Sequence, residues 1–157
     1  MAMNTGPYSE EKVQRYIEEN FIPVKSQCFW DRRTDLMKQF TVSWTPTLLV
    51  LDPSGAEHHR VVGFVPSDDF LGHLKLGQGN MHFDRFRFVE AMAEFQAVID
   101  GHPTAGVVPE AIFFLGVAGY WKNHDATALR RAYDTLAAQH PQSEWARRAV
   151  PYAQIPL

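Results

Sequence analysis

The sequence contains one cysteine, Cys28, in 157 residues. A single thiol excludes an intramolecular disulfide, a multi-cysteine metal site and a CxxC dithiol. Positive charge is not in excess either: 15 Lys and Arg stand against 18 Asp and Glu, a formal net charge of −3. Nothing in that balance drives binding to a polyanion, so nucleic acid is not an expected partner. No apolar run approaches the length that spans a bilayer. The start, Met1–Tyr8, is polar and carries Gly6 and Pro7, unlike a signal peptide. A cytoplasmic protein without membrane attachment is expected. The seven histidines show no HExxH or His-x3-His spacing on one helix, so no metal is expected. Gly77-x-Gly79 lies inside a helical pattern and not after a strand, so it is not read as a phosphate loop. No cofactor is expected.

Hydrophobic side chains are plentiful. They make up 45% of the chain and aromatics 13%, including 11 Phe. That is enough for a packed core, and the length fits one domain or two small ones. The pattern changes near residue 66. Before it, helix and strand signals alternate. Ser9-Glu10-Glu11 opens a helix in which Val13, Tyr16 and Ile17 share a face. Phe21–Val24 reads as a short strand, with Pro23 at a sheet edge or strand start. Asp31 is placed as the cap of a helix over 32–40. Thr47–Leu51 is a strongly apolar strand, Asp52-Pro53-Ser54-Gly55 a turn, and residues 59–64 the antiparallel return. The order is α-β-α-β-β.

Beyond residue 66 the signals are helical only. Helices are expected at 67–83, 88–99, 109–121, 126–139 and 143–149. The stretch Ala111-Ile112-Phe113-Phe114-Leu115 is apolar nearly all round and should lie between two other helices. His102 and His140 fall at helix C-termini, where a cation is favoured. Ala91-x3-Phe95-x7-Pro103 recurs as Leu129-x3-Tyr133-x7-Pro141, with Gly79 and Gly116 ahead of the two aromatics. This small–aromatic–Pro rhythm resembles tetratricopeptide repeats. Phe86 departs from that pattern, standing where the family commonly has a turn glycine. Paired helices of this kind leave a groove that can take a peptide, although Tyr120, Trp121 and Tyr133 read as packing residues.

The first part carries a second resemblance. Glu11-x-Val13, Tyr16-Ile17, Asn20–Lys25, Leu36-x3-Phe40-x-Val42, Trp44–Gly55 and Val62-Gly63-Phe64 together resemble a thioredoxin-like domain. More closely, they resemble bacterial thioredoxin-related proteins in which such a domain leads into a helical tail. The resemblance implies a cis Thr45–Pro46 bond. It also implies that the chain starts near the end of the family's CxxC helix, without the central strand and the dithiol, so that a longer gene product carrying CxxC is conceivable. The fold class expected is thus α/β plus all-α. Residues 1–66 form an N-terminally truncated thioredoxin-like unit, and residues 67–157 form TPR-like helical hairpins packed against it. The α/β unit is expected as a three-stranded remnant with open apolar edges, which favour a homodimer.

Dithiol exchange needs an attacking and a resolving thiol, so one cysteine points away from it. The functional expectation is a non-catalytic protein-binding or assembly module with a protein or peptide partner. Trp44, Thr45 and Pro46 are the candidate peptide-binding residues, because in the resembling family the backbone before the cis proline pairs with an extended peptide. The same three residues also admit a reading as a turn whose Trp44 fills the core. Cys28 is the weak catalytic candidate. Arg32, Arg33 and a nearby helix start would activate it for thiol–disulfide or thiol peroxidase chemistry, alone or with a partner's cysteine. A small apolar residue packed beneath Phe29 and Trp30 accounts for it better.

Overall fold

A computed structural model describes residues 2–29 and 31–157. Its helices are α1 (Ala2–Thr5), α2 (Glu11–Asn20), α3 (Asp35–Gln39), α4 (Ser67–Asp84), α5 (Phe88–Gly101), α6 (Val108–Asn123), α7 (Thr127–Gln139) and α8 (Glu144–Ala149). Strands β1 (Thr47–Leu51) and β2 (Glu57–Val62) pair antiparallel, Thr47 opposite Val62 and Val50 opposite His59, with an irregularity after Val50. The architecture is a two-stranded hairpin with short helices, followed by a helical layer.

Two expectations fail in the first part. Phe21–Val24 is not a strand, and the sheet has two strands instead of three among the described residues. A strand is stable only when its N–H and C=O groups close a ladder. No described strand lies beside this segment, and Pro23 has no N–H to offer. The chain stays irregular there, with Ile22 93% and Val24 79% exposed. The second helix also starts later than expected. Thr34 caps it by accepting from the Met37 N–H, and Asp31 lies outside it.

Helix α4 is the wall shared by two cores. Phe70, Leu71 and Leu74 pack with Met3, Val13, Val50 and Val65 on the hairpin side. Leu76 instead joins Ala91, Phe95, Val98, Ile112 and Leu136 in the helical layer. Two glycines make this double contact feasible. A Cβ on Gly77 would lie 2.7 Å from Val50 Cγ2, and one on Gly79 would lie 2.5 Å from the Phe95 ring. Both distances are inside van der Waals contact, so only hydrogen fits. The Gly-x-Gly pair thus has a packing role on two sides of α4.

The helical layer stacks in chain order. Helix α5 packs on α4, α6 on α5, and α7 on α6. Helix α6 lies between two others, as its uniform apolarity requires. Gly116 repeats the device of Gly79: its Cβ would lie 2.5 Å from Ala132 Cβ. Gly79–Phe95 and Gly116–Ala132 are each 16 residues apart. The contact register therefore sits one residue away from the Phe95–Tyr133 match in sequence. At the α4–α5 turn Phe86 has φ +59°, the left-handed conformation a glycine would adopt without strain.

Replacing Gly79 by Ala gains up to about 1 kcal/mol of helix propensity but overpacks a buried ring, a penalty of roughly 1–3 kcal/mol. The expected outcome is a net loss of about 1 kcal/mol in urea denaturation. Gly77→Ala should be destabilised likewise and rescued by Val50→Ala, because the two sites share one contact. A more stable Gly79→Ala protein would contradict the close approach.

Candidate functional site

The hairpin presents an open strand edge. Gly63 N–H donates to Pro46 C=O at 2.8 Å, which sets the alternation of the antiparallel ladder. Residues 48 and 50 of β1 therefore point their backbone groups at β2, while Thr47 and Leu49 point theirs away. On that side no strand pairs with β1 among the described residues. The outer strand β2 carries Glu57 and Arg60, joined in an ion pair of 2.6 Å. Such charges discourage edge pairing, whereas the run Thr47-Leu48-Leu49-Val50-Leu51 carries none.

Trp44, Thr45 and Pro46 stand at the start of this edge. The Thr45–Pro46 peptide bond is cis. Trp44 is 68% exposed, so its ring does not fill the core. Its carbonyl accepts from the Thr47 hydroxyl at 2.7 Å, which fixes the entry into β1. Cys28 lies in the irregular segment after α2 and is half-buried. The Arg32 guanidinium sits 4.5 Å over the Phe29 ring. The helix start expected near Asp31 is absent; the next helix, α3, begins at Asp35 with Thr34 as its cap. Trp30, the other residue expected over Cys28, lies outside the described residues.

A polar cluster not anticipated from the sequence closes the far end of the hairpin. Asp52 Oδ1 accepts from Ser54 N–H (2.8 Å), the Ser54 hydroxyl (2.5 Å) and Ala56 N–H (3.1 Å). Asp52 Oδ2 accepts from Arg85 at 2.7 Å and faces His58 Nε2 at 3.2 Å. The other ring nitrogen, His58 Nδ1, meets Asp84 Oδ2 at 2.7 Å. An imidazole with a carboxylate at each nitrogen is best satisfied as the cation, with both nitrogens donating. The cluster ties the turn and β2 to the C-terminal end of α4. Ser54, His58 and Arg85 hold the Asp52 carboxyl well below the usual carboxylate range. At His58, burial pulls the pKa down, but Asp84 and Asp52 together outweigh it and raise it above 6.5. The only sequence signal was the turn around Asp52; the partners lie 6, 32 and 33 positions along the chain, and no spacing rule connects them.

His58 and His59 both reach α4, because the register irregularity after Val50 makes His58 the unpaired extra residue of β2 and interrupts the alternation of side chains there. His59 Nε2 is 2.9 Å from His73 Nδ1 of α4, and the rings stack. Burial and the neighbouring His73 push His59 down to about 4, and burial also lowers His73. His102 and His140 do cap α5 and α7. At His102, however, burial lowers the pKa, so the cationic role expected at that helix end is not supported. Among the described residues no group of three or more His, Cys, Asp or Glu side chains is arranged to hold a metal ion. No helix there is long and apolar enough to cross a membrane.

Residues 7–78 match the family model of a thioredoxin-like domain. The matched stretch takes in the cis Thr45–Pro46 bond, the whole hairpin and the first two thirds of α4, including Gly77. It stops before the rest of the helical layer. No curated protein and no solved structure matches the chain.

The raised pKa of His58 has a pH signature. A group whose pKa is higher folded than unfolded stabilises most below its unfolded value, here about 6.5, and loses that contribution as pH rises through its folded value. His58→Asn should therefore be less stable than the parent chain at pH 6, and the gap should narrow as pH rises. Urea denaturation across this range measures it. A gap that widens with pH would contradict the charged clasp.

Proposed function

We propose that this chain is a non-catalytic protein-binding module that takes an extended peptide segment onto the free edge of β1. In this reading its thioredoxin-like unit leads into TPR-like helical hairpins that brace it. The observation that carries the reading is the combination at β1: an uncharged, apolar strand with the backbone groups of Thr47 and Leu49 directed away from β2, and the exposed Trp44 beside its start. Strand addition supplies main-chain hydrogen bonds, and flanking side chains supply selectivity. The single cysteine favours this reading over dithiol exchange, since half of that cycle has no thiol in this chain. The same edge can pair with a second copy of the chain, and a homodimer is the state proposed in the absence of a partner.

Leu49→Pro separates edge binding from folding. Position 49 does not donate to β2, so the substitution leaves the hairpin ladder intact and removes only an outward N–H. Peptides selected from a displayed random library against the parent chain should bind Leu49→Pro about tenfold or more weakly and Leu49→Ala nearly normally. The amides of Thr47 and Leu49 should become protected in the complex. Sedimentation should likewise show the parent dimer and a Leu49→Pro monomer. Selected peptides that bind both variants equally, leaving those amides unprotected, would contradict the proposal.

A further inference from the structure

A cavity of about 220 Å³ lies where β2, α4, α6 and α8 meet. His58, Asn80, Asp84 and Glu110 line it together with Phe83, Phe114 and Trp145. The proposed edge site uses none of these residues. We propose that this cavity binds a primary ammonium group carried on a short apolar stem.

The argument is an inventory of donors and acceptors. Both His58 nitrogens are engaged by Asp52 and Asp84. Asn80 Nδ2 donates to the His58 carbonyl at 3.2 Å, which leaves its Oδ1 as the outward group. Asp84 uses Oδ2 on His58, which leaves Oδ1. Glu110 is half-buried and has no hydrogen bond or ion pair with any described residue. The lining thus offers more acceptor oxygens than donors: carboxylate and amide oxygens of Asn80, Asp84 and Glu110, against the second Asn80 N–H and the Trp145 indole N–H. An ammonium group has three donors and no acceptor. The remaining walls are aromatic, which suits a cation at ring faces and an apolar stem. An anion would meet two carboxylates, and a metal ion would lack a ligand set.

The charges around Glu110 are Glu144 and Arg148 of α8, Asp84 of α4 and His58 of β2. His58 is neutralised by its two carboxylates, and Arg148 is turned to Glu144 at 3.3 Å and to the Trp145 ring at 4.5 Å. Burial, with Glu144 adding to it, pushes the Glu110 carboxyl up to about 7. An ammonium group beside it favours the ionised form, so binding near pH 7 releases a proton and tightens as pH rises.

The ammonium can belong to a free small amine or to a lysine side chain of a protein partner. Calorimetry at pH 7 in two buffers of different ionisation enthalpy distinguishes them, with n-butylammonium chloride, N-acetyl-lysine-N-methylamide and 1-butanol as probes. Saturable binding of butylammonium with proton release is expected, and 1-butanol should not bind. If the lysine derivative also binds, the source is a protein side chain; if only butylammonium binds, it is a free amine. Glu110→Gln should weaken butylammonium about tenfold and abolish the proton release. Equal binding of 1-butanol, or no saturable binding of either cation, would overturn the proposal, and both readings come from the parent chain whether or not the variant folds.

Discussion

Everything in this fold depends on how closely α4 approaches its two neighbours. At Gly77 the helix backbone sits against Val50 of β1, and at Gly79 it sits against the Phe95 ring of α5. A two-stranded hairpin is marginal in water by itself. Here one of its faces is buried against a helix that is in turn held by three more. The apolar side chains of α4 serve both cores, which explains why that helix has no simple amphipathic stripe. It also places the end of the family match, residue 78, inside an element the two parts share.

The polar contacts reinforce the same joint. Asp52, His58, Asp84 and Arg85 join the hairpin's far end to the last turn of α4, and Asp69 Oδ1 accepts from Gly106 N–H at 2.7 Å near its start. Arg60 of β2 donates to the Phe40 carbonyl at 2.6 Å, fastening the loop that follows α3. The hairpin is thus clamped on its inner face and at its turn, while the outward edge of β1 remains available. A rigid scaffold with an uncharged open strand edge is what peptide capture by strand addition needs, because ordering of the receptor is already complete before the peptide arrives.

Much of this was legible from residue patterns. The helices after residue 66 and the hairpin followed from 3.6- and 2-residue periodicity with strong turn and proline stops, which are local signals. Thr45-Pro46-Thr47 before an apolar strand carried the family resemblance. Phe21–Val24 was misread for a non-local reason: its composition suits a strand, but strand formation is decided by a neighbour, and no described neighbour exists. The clasp around His58 was invisible because it joins residues across β2 and α4 with no spacing rule between them. Gly77 and Gly79 were visible as a pair, yet their role depends on Val50 and Phe95, which only tertiary packing brings close.

Amide hydrogen exchange along β1 in the free, dilute chain tests the open edge directly. The account predicts alternation: slow exchange at Leu48 and Val50, whose N–H groups face β2, and fast exchange at Thr47 and Leu49, whose N–H groups face outward. Uniform protection at all four amides in a monomer would mean that the edge is already covered, and would contradict the account.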